Sequence, residues 1–254
     1  MKKILITLMM MLGVVWQADA QIMFGNTGLM NIPTADMAKE GTFVGGATLV
    51  PSRYMRSYFN YNTGIYYFRI TPLPWAEVTL RETLLKTRQK SRDISKITGD
   101  DNVVYGKLGF YQQDRSYTVR LRPIRESEGK WWPSIVLGAN DPWSDNGGSY
   151  YSSAYGVATK HFNVGHVGNF SLSAGYYEPL NDRFDGAKVY DGFFGGVGYV
   201  PQFCDKLLFS ADYDTQGINI GFDVLLFNHW NIYLYERDFK KFGFGMNYQY
   251  TFDW

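Results

Sequence analysis

The sequence predicts an all-β protein: an antiparallel transmembrane β-barrel of about twelve strands, within ten to fourteen, behind an N-terminal segment that is not a strand. Three observations predict it. Apolar and polar residues alternate over long stretches, the clearest being "FGFGMNYQYTFDW" from Phe242 to Trp254. Side chains alternate across a strand with period two, so Phe242, Phe244, Met246, Tyr248, Tyr250, Phe252 and Trp254 share one face. The composition is 18% aromatic and only 19% charged, with 27 Gly, where soluble domains carry about 25% charge. The polar faces of these stretches hold Gly, Ser, Thr and Asn with few Lys or Glu, unlike the wet face of a soluble sandwich.

The elements follow in order. Residues 1–20 read as a signal peptide: Lys2 and Lys3, then an apolar run from Ile4 to Trp16, then Ala18-Asp19-Ala20 before Gln21. The apolar run is short of the roughly 20 residues that a spanning helix needs. Cleavage near Ala20/Gln21 removes Lys2, Lys3 and Asp19, so the 25 basic and 24 acidic residues become 23 of each. That balance gives a nucleic-acid partner no support. Cys204 is the single cysteine. An internal disulfide is excluded, and no Cys follows the signal to carry an N-terminal lipid.

Residues 21–41 form the N-terminal segment, a plug or a contact at the periplasmic mouth. Gly25 and Gly28 permit close backbone approach or positive φ, and Pro33 pushes Ile32 towards an extended form. Leu29, Met30 and Ile32 favour order over a disordered lead-in. The barrel, 42–254, is read as strands at 42–50, 58–70, 75–85, 115–123, 132–140, 151–162, 169–178, 191–200, 206–213, 216–225, 229–236 and 242–252. Connections 51–57, 86–114, 141–150 and 179–190 are long, while 71–74, 201–205 and 226–228 are short. Outer-membrane barrels have short periplasmic turns and longer external loops, so the N-terminus falls in the periplasm. Two further external connections, the ninth and eleventh, are short. Strands that cross a bilayer must close, because no water satisfies an open edge.

The opening "GNTGLMNIPTADMAKEGTFVGG" resembles the start of the YjbH family of outer-membrane proteins linked to exopolysaccharide production. Gly25, Thr27, Gly28 and Leu29 match its Gly-x-Thr-Gly-Leu stretch, and Pro33, Thr34 and Ala35 its Pro-Thr-Ala. "ITPLPWAEVTLR", "PSIVLGANDPW", "YYSSAYGVATKHF", "FFGGVGYVP" and "LLFSADYDTQGINIGFDV" are similar to later family segments. The last departs from the usual Glu-Tyr-Asp at Ala211-Asp212-Tyr213-Asp214. The resemblance covers most of the mature chain. Typical members are longer, with a second barrel-like half. The resemblance implies a role in exopolysaccharide export or surface assembly, alone or with partners that supply that half.

Chemistry is sparse. His161, His166 and His229 sit in two short connections with no Cys or evident carboxylate beside them, so no metal or cofactor is expected. No G-x-S-x-G elbow accompanies the serines, so catalysis is not expected. Glu77, Arg81, Arg120, Arg122, Asp212 and Asp223 are the candidate lumen charges. They either pair and fill the interior or line a passage, since twelve strands lie between a filled barrel of about eight and open porins of about 16–18. Trp143, Tyr150 and Tyr151 flank Gly147-Gly148 as candidate sugar contacts. Trp75, Trp131, Trp132, Trp143, Trp230 and Trp254 fall near strand ends and read as interface anchors. Lys86, Arg88, Lys90, Arg92 and Lys96 make the longest external loop basic, read as a solvated loop over a contact for anionic sugars. The expected partners are outer-membrane lipids, a polysaccharide and export-machinery proteins. A small-solute porin stands as the alternative, and a lipid-modifying barrel enzyme as the outsider.

Overall fold

The computed structural model describes residues 23–51, 63–86, 111–127, 130–143, 152–180 and 190–252. Its strands are β1 (Thr42–Val50), β2 (Thr63–Leu73), β3 (Ala76–Lys86), β4 (Tyr111–Ile124), β5 (Ser134–Asn140), β6 (Ser153–Val164), β7 (Gly168–Pro179), β8 (Gly192–Pro201), β9 (Leu207–Tyr213), β10 (Ile218–Leu226), β11 (Trp230–Arg237) and β12 (Lys241–Thr251). Each pairs antiparallel with its sequence neighbours, and β1 pairs with β12, so one sheet of twelve strands closes on itself. The chain is thus an all-β antiparallel transmembrane barrel.

The period-two pattern decides which way each side chain points. On β12, Phe242, Phe244, Met246, Tyr248 and Tyr250 face outward and exposed, while Asn247 faces inward and is buried. On β10, Ile218, Ile220 and Phe222 face out, and Asn219 and Asp223 face in. The outer wall is therefore apolar and aromatic, which only a bilayer satisfies at this extent.

The inward glycines are the counterpart of the inward tyrosines. Tyr233 lies opposite Gly245, Tyr235 opposite Gly243, Tyr155 opposite Gly138 and Tyr67 opposite Gly46. A Cβ built on Gly245 would lie 2.2 Å from the Tyr233 ring. Each ring thus lies over a glycine of the neighbouring strand, a way of covering bare backbone.

Inside the barrel sits the segment from Met23 to Ala38. Met23, Phe24, Leu29, Met30 and Ile32 are each at most 2% exposed. They form one apolar cluster with Ile65, Val136, Val157, Tyr155, Tyr177, Phe194, Tyr233 and Tyr235 of the wall. Each such side chain contributes about 1.5–3 kcal/mol by leaving water. The segment folds on itself: Gly28 and Pro33 form an antiparallel bridge, Thr34 N–H donates to the Thr27 carbonyl, and Met23 N–H donates to the Met30 carbonyl. Gly41, at φ +79°, turns the chain into β1, and its N–H bonds to the Thr71 carbonyl on β2.

Candidate functional site

The candidate site is the lumen and the segment that fills it. Glu77 on β3 lies between two arginines, Arg120 of β4 and Arg69 of β2. Its Oε1 accepts from Arg120 Nη1 at 2.6 Å, its Oε2 is 3.8 Å from Arg69 Nε, and all three side chains are fully buried. Thr27 enters this cluster from the filling segment. Its hydroxyl donates to Glu77 Oε2 at 2.6 Å and accepts from Arg69 Nη1 at 2.7 Å, and its N–H reaches Glu77 Oε1 at 3.3 Å. Arg120 Nη2 also donates to the carbonyls of Thr34 and Asp36. The Glu77–Arg120–Arg69 cluster therefore ties three strands of wall to both limbs of the buried segment.

A second tie lies on the far wall. Asn31 N–H donates to Asp212 Oδ2 at 3.0 Å, and its side chain donates to Asp214. Asn219 holds the other Asp212 oxygen at 2.7 Å, and Arg237 pairs with Asp214 at 3.2 Å. A third joins Ala35 N–H to Thr159 Oγ1 on β6 at 2.7 Å. The segment is thus bonded to the wall on at least three sides.

The other candidate residues distribute as follows. Arg81 points inward, bonds Asn140 at 3.1 Å and lies over the Phe24 ring at 5.9 Å. Asp223 accepts from Asn231 at 2.8 Å on the same interior wall. Arg122 does not join them. The ladder shifts register between Leu121 and Ile124, where Pro123 offers no N–H, and Arg122 bonds the Pro74 carbonyl at 2.6 Å on the exposed rim. Gly25 adopts φ +86° against Tyr67, whereas Gly28 is not among the positive-φ glycines and serves as the bridge to Pro33. Leu29 packs towards Gly196 and Gly198. Trp143 is 74% exposed and stacks on Tyr117 with ring centroids 6.0 Å apart. Tyr150 and Tyr151, and the basic loop beyond Lys86, lie outside the described residues.

His161 belongs to β6 itself and not to a connection. It also has carboxylates beside it that sequence spacing hid: Nδ1 is 2.8 Å from Glu126 and Nε2 is 3.5 Å from Asp36. The two acids sit on opposite sides of the ring, so they do not converge, and no metal-binding group of His, Cys, Asp and Glu occurs among the described residues. Burial alone would push the Glu126 carboxyl up, but hydrogen bonds from Lys160 and His161 outweigh it and hold the carboxyl below its ordinary range.

Arg69, Asn31, Asp214 and Arg237 are the functional residues that the sequence reading missed. Arg69 and Arg237 had a usable signal: alternation with Phe68 and Ile70 turns Arg69 inward with Tyr67 and Thr71, and alternation with Ile232 and Leu234 turns Arg237 inward with Tyr233 and Tyr235.

Comparison with known proteins finds relatives of the chain. The chain is 29% identical over 201 residues to the "Uncharacterized lipoprotein YjbH" of Escherichia coli (strain K12). The match covers 69% of this chain and 25% of that protein, so the chain spans about a quarter of its relative's length. Among solved structures, the KdgM porin aligns over 84% of this chain and 99% of its own at 8% identity, with a TM-score of 0.47. The Salmonella typhi outer membrane phospholipase dimer with bound calcium aligns over 84% and 91% at 10% identity, with a TM-score of 0.34. The family model of the exopolysaccharide biosynthesis protein YjbH matches residues 20–253, and the chain belongs to that family.

Proposed function

We propose that this protein is a non-enzymatic outer-membrane barrel that assists export or surface assembly of an exopolysaccharide. The family's description supplies the polymer class. The observation that carries the reading is the filled lumen, with Thr27 held between Glu77 and Arg69 in a fully buried cluster. A passive porin needs a standing aqueous path, and this segment occupies it. The plug is best read as a stopper that the export step must move, or as a rigid support for a partner at the periplasmic mouth. Residues 1–20 are read as the signal peptide that delivers the chain to the outer membrane of a Gram-negative bacterium. Export-machinery proteins are the proposed partners, with outer-membrane lipids around the wall.

Deletion of residues 25–35 tests the reading. Polymer output should fall while the barrel still inserts, because β1–β12 keep their pairing. Unchanged output together with unchanged conductance would reduce the segment to a tether and remove the support for this function.

A further inference from the structure

Two tight turns carry a phenylalanine in a conformation that favours glycine. Phe227 and Asn228 join β10 to β11, and Asp238 and Phe239 join β11 towards β12. All four have positive φ, between 48° and 63°. His229 N–H closes the first turn on the Leu226 carbonyl, and Lys240 N–H closes the second on the Arg237 carbonyl. A hairpin turn with both central residues left-handed prefers Asn-Gly or Asp-Gly. A Cβ penalises that conformation, and a bulky side chain there is an outlier. No packing inside the fold offsets the strain, since Phe227 is 82% and Phe239 72% exposed. What rewards the two rings lies outside the chain.

Strand length says what that is. β9, β10 and β11 hold 7, 9 and 8 residues, whereas β6 and β7 hold 12 each. At about 3.3 Å per residue and a tilt of about 40°, the three short strands rise only about 18–23 Å, less than the apolar band of about 25 Å. By the same measure β6 and β7 rise about 30 Å. On the short flank the strands end inside the band, and the turns complete it. The exposed apolar wall runs unbroken to both tips, through Leu226 and Trp230 to Phe227 and through Ile218 and Phe242 to Phe239. From Leu226 to Trp230 the chain has no Asp, Glu, Lys or Arg. His229 there is stacked on Tyr248 and Tyr250, with ring centroids 5.6 and 6.0 Å away. Lys240 and Lys241 beside Phe239 are exposed, and their stems are long enough to lift the charge into the headgroups. We infer that both turns are inserted in the bilayer, Phe227 among the acyl chains of the periplasmic leaflet and Phe239 at the acyl–headgroup boundary of the external leaflet. Lipid is the partner because the patch continues the lipid-facing wall. The inference is independent of the exopolysaccharide reading.

The test uses the full mature chain carrying Cys204→Ser, with Phe227→Cys or Phe239→Cys labelled by a nitroxide, in phosphatidylcholine vesicles. Collisions of the label with oxygen, which concentrates among acyl chains, are compared with collisions with a water-soluble nickel chelate. Phe244→Cys on the lipid-facing wall and His166→Cys in the exposed β6–β7 turn set the two limits. Heat-modifiable migration checks that each variant is folded, and Asn228→Cys reports on the same turn where Phe227→Cys is not. The oxygen-to-nickel ratio at position 227 should match that at 244, and the ratio at 239 should fall between those at 244 and 166. A ratio at 227 or 239 as low as at 166 would place that turn in water and overturn its insertion. A label shielded from both reagents would show a protein contact, such as a second copy of the chain, and would overturn the choice of lipid.

Discussion

Thr27→Val isolates the tie between plug and wall. Valine has nearly the shape of threonine, so the change removes the hydroxyl and little else. The hydroxyl makes two contacts to charged groups, 2.6 Å to Glu77 and 2.7 Å from Arg69. A hydrogen bond to a charged group contributes about 1.5–3 kcal/mol. Glu77 keeps its bond from Arg120 and the Thr27 amide, so the combined loss should fall below the sum of two such bonds, at about 2–3 kcal/mol. At about 1.4 kcal/mol per tenfold, the open population of the plug rises roughly 30- to 150-fold. Hydrogen exchange reads it directly. The amides of Thr27, Asn31 and Ala35 donate to Glu77, Asp212 and Thr159 and should exchange faster by that factor, while the strand amides keep their protection. Equal exchange in variant and wild type would refute the claim that this contact holds the plug. Equal acceleration throughout the strands would show that plug and barrel open as one unit.

Glu77→Ala strands two buried guanidiniums and should cost more, about 3–5 kcal/mol, seen as lower barrel stability as well as faster plug exchange. Gly25→Val places a Cβ 2.4 Å from Tyr67 Cγ at φ +86°; a cysteine introduced at Asn26 should then label faster while gel migration still reports a folded barrel. Phe244→Arg puts a charge on the lipid face and should cost roughly 2–4 kcal/mol of folding in lipid, whereas Phe203→Arg, in the exposed β8–β9 turn, should cost far less in the same titration. Glu126 has a depressed carboxyl pKa, so its contribution to stability is present above the unfolded value near 4.3 and is lost as pH falls through the lower folded value. Acidification below that value should speed exchange of the His161 amide, which donates to Glu126 at 3.1 Å, and Glu126→Gln should remove the dependence.

Much of the wall was legible because period-two alternation is local. Thirteen alternating residues at the C-terminus fix both the strand and its facing, and the predicted ends of β12 differ from the observed by one residue. Arg122 shows where this reasoning stops. Alternation counted from Arg120 turns it inward, but it lies at the end of the strand, where its N–H bonds the Trp75 carbonyl and its guanidinium the Pro74 carbonyl at the rim. The lumen was less legible, because its bonds join residues far apart in sequence. Thr27 meets Glu77 across 50 positions, and Asn31 meets Asp212 across 181. The inward glycines have the same cause. Gly243 and Gly245 look like gaps until β11 is laid beside them with Tyr235 and Tyr233 opposite.

Conductance of the purified mature protein in planar bilayers tests the closed barrel most directly. With Met23 to Ala38 seated in the lumen, the wild type should be silent at moderate voltage, and the variant lacking residues 25–35 should conduct. A wild type that conducts as well as the deletion would contradict the account.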